Sequence, residues 1–189
     1  MSAPDKLPAS AALLVIDLQK AIDEPYWGPR NNPQCEENVA ALLQRWRTTA
    51  RPLYHIKHNS SDPASAYRAG HPGNAFKEEV RPYPHETVIA KHLQSAFVGT
   101  NLETRLRRAG HTPLVVTGVL TNNSVEATVR MGSNLGFDIY VVSDACFAVE
   151  KRALNGRLFS AEDVHALSLA NMQGEYATVV NTAWVLERT

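Results

Sequence analysis

A carboxylate, an amine and a hydroxyl stand at the ends of three separate apolar runs of this 189-residue chain. Asp17 lies at the end of the run Ala11 to Leu18, Lys91 follows the run Thr87 to Ala90, and Ser124 closes the polar turn Thr121 to Ser124 after the run Pro113 to Val119. Groups of these three kinds supply a nucleophile, a proton acceptor and a stabiliser of developing charge. The turn between Gly118 and Glu126 opens a helix, whose first peptide N–H groups are unsatisfied and carry partial positive charge. Ser124 would therefore present its hydroxyl beside a cradle suited to the oxyanion of an acyl-transfer intermediate. A serine after Asn122-Asn123 can also simply cap the helix, Asp17 can cap a helix too, and Lys91 can be a solvated charge. His55 and His58 lie at the end of a further run, and Asp144 at the end of another, where it reads best as an anchor for its own loop.

These groups need a scaffold that brings strand ends together. The β-type runs are Ala11 to Leu18, Pro52 to Ile56, Thr87 to Ala90, Pro113 to Val119, Phe137 to Val142 and Tyr176 to Val180. Most are apolar on both faces, as strands of a covered parallel sheet are. Helical stretches alternate with them. Glu36 to Thr49 puts Val39, Leu42, Leu43 and Trp46 on one face. Asn101 to Ala109 begins with Thr100 and Glu103 spaced as a capping box and ends at Gly110. Ser124 to Leu135 and Ala161 to Gln173 follow, the latter with Ser160 and Asp163 at its start and Gly174 at its end. The alternation predicts one α/β domain over residues 1–189, a three-layer sandwich with a six-stranded, mainly parallel sheet and helices on both faces. In such sheets ligands bind beyond the carboxyl ends of the strands, where Asp17, Lys91 and Ser124 fall. The segment Asn59 to Glu86, rich in Pro, Gly and His, reads as a loop that covers something.

Composition narrows the class. Nineteen basic and 19 acidic residues leave a formal net charge of zero. That offers no polyanion-binding face, so nucleic acid and anionic membrane are not expected partners. No apolar run approaches the roughly 20 residues of a membrane helix, and Met1 to Ser10 lacks the pattern of a signal segment, so a cytoplasmic protein is expected. Cys35 and Cys146 make neither a disulfide framework nor a zinc pattern.

Several motifs together resemble the isochorismatase-like cysteine hydrolase superfamily over nearly the whole chain. They are Leu14-Val15-Ile16-Asp17-Leu18-Gln19; Lys91 with Ser95-Ala96-Phe97 and Thr100-Asn101-Leu102; Gly118 to Arg130; Val142-Ser143-Asp144-Ala145; and Ala161 to Leu167. That group includes nicotinamidases, carbamoylsarcosine, ureidoacrylate, biuret and triuret amidohydrolases, and streptothricin hydrolase. The resemblance implies the sandwich already read from the elements, a homodimer or homotetramer, and hydrolysis of a C–N bond without an organic cofactor. It implies an Asp, Lys and Cys set, the first two at Asp17 and Lys91. Backbone N–H groups of Leu120 and residue 124 would form the oxyanion hole, with a cis peptide before Leu120.

The third position holds Ser124. A thiol, with a reference pKa of about 8.5, is readily activated by a nearby cation and a helix N-terminus, whereas a serine hydroxyl is far less acidic. No histidine takes a triad role in the family, so the imidazole that ordinarily activates serine is missing. The chain thus reads as a Cys→Ser exchange that keeps the shape and removes the nucleophile. It also reads as a natural serine-bearing member, or as one with a non-covalent route such as the vinyl-ether cleavage of isochorismatases, with Asp17 as proton donor. A protein that binds a small amide without turnover is the reading from a different class.

Nicotinamidases of the superfamily carry an Asp-x-His with a further His after the second strand. Here the region is His55-Ile56-Lys57-His58-Asn59 and the carboxylate is missing, so no metal site is expected, and His58 is a candidate substrate-orienting group. Tyr26, Trp27, Phe76 and Phe97 are candidate pocket walls, while Gln19, Asn122 and Asn123 could hydrogen-bond a carboxamide, carbamoyl or ureido substrate. Arg68 and Lys77 of the covering loop could read a carboxylate.

Overall fold

A computed structural model describes residues 4–189. In chain order the elements are β1 (Ala12–Ile16), α1 (Cys35–Thr48), β2 (Leu53–His58), β3 (Thr87–Lys91), α2 (Leu102–Ala109), β4 (Leu114–Val119), α3 (Glu126–Asn134), β5 (Ile139–Phe147), β6 (Lys151–Arg152), β7 (Leu158–Phe159), α4 (Ala161–Met172), β8 (Thr178–Val180) and α5 (Thr182–Glu187). Six strands form one sheet in the order β3-β2-β1-β4-β5-β8, every ladder parallel. Leu13 and Val15 of β1 pack with Val39, Leu42, Leu43 and Trp46 of α1 and Val185 of α5. Ala12, Leu14 and Ile16 pack on the other face with Leu102, Leu106, Val129 and Met172 of α2, α3 and α4. β1 is fully buried on both sides, which explains its unbroken apolar run. The three-layer α/β sandwich expected from the alternation is the fold. Chain order reverses between β1 and β4, the switch point at which open α/β sheets bind ligands.

Three local readings need correction. β5 runs on to Phe147 through a register shift opposite Val116 and Gly118, so Asp144 and Cys146 lie within the strand, not beyond it. Asp144 holds a different element from its own loop: its Oδ1 accepts from the N–H and the hydroxyl of Thr182, both at 2.8 Å, and so fixes the start of α5. At α2 no capping box forms. Thr100 Oγ1 accepts from the N–H of Leu102, but Glu103 turns outward to Arg107 at 2.8 Å, while Gly110 closes the helix at a φ of 66° as expected.

Gly118 sets the spacing of β1 and β4 just below the site. Its φ is 115°, and a Cβ there would collide with the carbonyl of Ile16 and lie 2.6 Å from the Ile16 nitrogen. Both partners are backbone of a buried strand and cannot yield. Gly118→Ala should therefore lose at least about 4 kcal/mol, the range reserved for backbone collision and strain. Urea denaturation checks it, and a midpoint within experimental scatter of the parent would show that the strands can part.

The covering loop of residues 59–86 is tied to α1 by charge. Arg30 grips Glu36 with two hydrogen bonds of 2.6 and 2.7 Å, and Lys77 reaches both Glu36 and Asp23 at 2.7 Å. Burial alone would raise the Glu36 carboxyl, but Arg30 and Lys77 bring it down from 4.5 to about 2. A depressed folded-state value means this stabilisation is present above pH 4.5 and disappears as pH falls through about 2. The urea midpoint should decline over that window, and the decline should flatten in Glu36→Gln; an unchanged slope would remove Glu36 from the acid response.

Candidate active site

Asp17 ends β1 at a φ of 54°, a left-handed conformation that aspartate tolerates better than most residues. Its N–H donates to Ile56 O at 3.0 Å and its carbonyl accepts from Tyr67 Oη at 3.3 Å. Lys91 ends β3, two strands away, and is 0% exposed. Its long side chain passes the end of β2 so that Nζ donates to Asp17 Oδ2 at 2.7 Å, to Leu93 O at 3.1 Å and to Ser124 Oγ at 3.2 Å. The three residues read from strand ends thus meet in one buried cluster, linked through the ammonium.

Ser124 does not cap. It lies inside a five-residue π turn, Thr121–Val125, that precedes α3, so α3 begins at Glu126 rather than at Ser124. Single π turns of this kind frequently occur at functional sites. The Val119–Leu120 peptide is cis. The Leu120 carbonyl accepts from the N–H groups of Asn123 at 3.0 Å and Val125 at 3.2 Å. From α4, His165 Nδ1 pairs with Thr121 Oγ1 at 2.8 Å, while Ser168 Oγ donates to Glu126 Oε2 at 2.6 Å and lies 3.2 Å from Thr121 O. His165 and Ser168 therefore position the turn. Sequence reading passed over both, although two polar residues on the buried face of α4 are the signal that marks them.

Burial raises the Asp17 carboxyl, against the opposing pull of the Lys91 ammonium and the Ser124 hydroxyl. Asp17 Oδ1 is buried without a hydrogen-bond partner among the described residues, which leaves one oxygen of a raised-pKa carboxylate free to take a proton. His58 Nδ1 stands 3.5 Å from Lys91 Nζ. Burial first, then the charges of Lys91 and His92, holds this imidazole down at about 4, so it is neutral at pH 7. Cys146 is no substitute nucleophile: burial pushes its thiol up to about 12.

Above the cluster is a cavity of about 130 Å³, well under the roughly 300–1,000 Å³ of drug-sized sites. Asp17, Leu120 and Ser124 are among its lining residues, together with Trp27, His58 and Asn123. Tyr67, Ser65 and Gln94 also line it and were not singled out from the sequence. The loop of residues 59–86 does cover the site, through Ser65 and Tyr67.

Other expected substrate contacts lie elsewhere. Gln19 is fully buried and its amide is taken up by backbone: Nε2 donates to His58 O and Asn74 O, and Oε1 accepts from His58 N–H at 2.7 Å. It positions His58 instead of substrate. Tyr26 is 65% exposed and packs on the Trp27 ring from outside. Phe76 packs against His55, and Phe97 stacks on Phe137 in the core. Asn122 lines a separate cavity with Phe159 and Leu167 and is not among the residues lining the cavity at Ser124. Arg68 folds back onto Ser65 O, and Lys77 is engaged by Glu36 and Asp23. A second cavity, of about 490 Å³, adjoins Leu53 and Thr87 at the opposite ends of β2 and β3. There Arg47 is already paired with Glu86 and stacked over Tyr83.

Residues 11–183 match the family model described as the isochorismatase domain. The chain belongs to the isochorismatase family. A crystal structure assigned as a hydrolase of this family from Chromobacterium violaceum is 54% identical and superposes with a TM-score of 0.95, covering 98% of this chain and 97% of that one. The isochorismatase family protein YrdC of Bacillus subtilis is 41% identical over 171 residues, 90% of this chain and 91% of its own length. More distant is the ureidoacrylate amidohydrolase RutB of Methylobacterium radiotolerans, 25% identical over 93% of this chain and 78% of its own. This isochorismatase-family chain is thus a hydrolase by kinship, with amidohydrolases among its relatives.

Proposed function

We propose that the chain is built to hydrolyse the C–N bond of a small carboxamide, carbamoyl or ureido compound through a covalent acyl-enzyme at position 124, and that the serine there stands in place of a cysteine. The observation that carries this reading is the Lys91 ammonium, which touches both the Asp17 carboxylate and the hydroxyl of residue 124 beneath a small cavity. The residue-124 nucleophile attacks the carbonyl carbon and its proton passes to Asp17 Oδ1. The oxyanion forms against the N–H groups of Leu120 and residue 124 while Lys91 steadies the charge. Collapse breaks the C–N bond, with Asp17 returning the proton to the leaving nitrogen. Water then gives a proton to Asp17 as it attacks the acyl carbon; the bond to residue 124 breaks, the acid leaves, and Asp17 returns the proton to residue 124. Trp27 and Tyr67 wall the substrate, and the neutral His58 offers it a hydrogen bond. The kinship with an amidohydrolase supports the bond type.

The test is ammonia release from nicotinamide, biuret, triuret and N-carbamoylglycine by this chain and by Ser124→Cys. Turnover of one compound by Ser124→Cys is the expected outcome. Silence of both proteins on every compound, with Asp17 and Lys91 in place, would remove the amidase reading.

A further inference from the structure

The cavity over Asp17, Lys91 and Ser124 has acceptors and aromatic walls but no cation to spare. An ammonium has three hydrogens. Those of Lys91 already face three acceptors: Asp17 Oδ2, Leu93 O and Ser124 Oγ. Besides Lys91, which lies beneath the floor, no lysine or arginine among the described residues lines the space. Neither nearby basic residue is part of the lining: Arg68 donates to the backbone Ser65 O, and Lys77 sits between Asp23 and Glu36. His58 remains uncharged at neutral pH. A substrate carboxylate entering here would lose its water, gain no counter-charge and face the Asp17 carboxylate. A buried ion without a partner costs several kcal/mol.

We infer that the site selects electrically neutral amides and rejects analogues that carry a carboxylate. This rests on the hydrolase reading for its chemistry, while the charge preference itself concerns binding as much as turnover. Walls of Trp27 and Tyr67, with Ile22, Val119 and Leu120, provide the apolar surround that a small uncharged molecule prefers. Polar contact is left to Asn123, Ser65, Gln94 and His58, all uncharged.

Matched pairs that differ only in charge test it: N-carbamoylglycine against its methyl ester, and succinamic acid against methyl succinamate. Ammonia release by Ser124→Cys and calorimetric binding to the unaltered chain are both measured at pH 7. The expected result is a kcat/KM and an affinity at least about ten-fold higher for each ester, the equivalent of about 1.4 kcal/mol against the charged member. Gln94 stands exposed at the mouth, so Gln94→Arg adds a cation where the fold tolerates it and should narrow the ratio several-fold. If the acids are bound and hydrolysed as well as the esters, the inference is overturned. If no compound is hydrolysed but the esters still bind better, the hydrolase reading fails and the charge inference stands. Binding of neither member at millimolar concentration overturns both.

Discussion

Ser124→Cys is expected to raise amide hydrolysis by about a hundred-fold or more, roughly 3 kcal/mol of barrier, over the chain with serine. The reason lies in what surrounds Oγ. Lys91 Nζ donates to it at 3.2 Å, which stabilises a thiolate placed there and lowers its pKa, whereas a hydroxyl begins so far from ionisation that the same contact leaves it a hydroxyl. Asp17 is a weak base for an alcohol and an adequate one for a thiol. No imidazole among the described residues is hydrogen-bonded to Ser124: His58 contacts Lys91, and His165 is engaged by Thr121. Mass spectrometry of Ser124→Cys quenched during turnover should show a covalent acyl adduct on the peptide containing residue 124. Equal rates for the two proteins, or turnover without an adduct, would point instead to a route in which water attacks directly and residue 124 is a bystander.

How much of this was legible beforehand depends on the scale at which side chains are read. Runs apolar on both faces can only be buried strands, so the sheet and its layers followed from Ala12–Ile16 and Leu114–Val119 with their intervening helices. Strand ends converge in such a sheet, and Asp17, Lys91 and Ser124 were found on that ground. What the sequence concealed is direction. Gln19 has the chemistry of an amide ligand, yet its neighbours are the backbones of His58 and Asn74, and only the path of the covering loop decides that. Phe97 and Trp27 are equally aromatic; one faces Phe137 in the core and the other the cavity. Tyr67 lies in a segment with no periodicity to aim it. The polar pair Ser143-Asp144 masked the second half of β5, because a bulged strand tolerates residues that an apolar pattern does not.

Asp17→Asn, introduced into Ser124→Cys, is expected to lower kcat/KM by about 10²–10⁴, the usual worth of a positioned acid–base group. The side chain keeps its shape and its contact with Lys91, so loss of rate without loss of fold separates proton transfer from architecture. The pH profile sharpens the distinction. Burial lifts the Asp17 carboxyl above the ordinary value of 3.8, and as a base it works only when ionised. Activity should therefore rise with pH through a limb placed above that value, and Asp17→Asn should erase the limb along with the rate. Lys91→Met should behave otherwise. It strands the Asp17 carboxylate, 4% exposed, without its counter-ion, and breaking a buried pair from one side costs about 3–5 kcal/mol. It should thus lose stability as well as activity, and the acid limb should move further up in pH, because burial then acts on Asp17 without its main opponent. If the limb stays in place in Lys91→Met, the ammonium is not what holds Asp17 ionised. The proton acceptor must then be sought in His58, which also lines the cavity and has a ring nitrogen 3.5 Å from Lys91 Nζ.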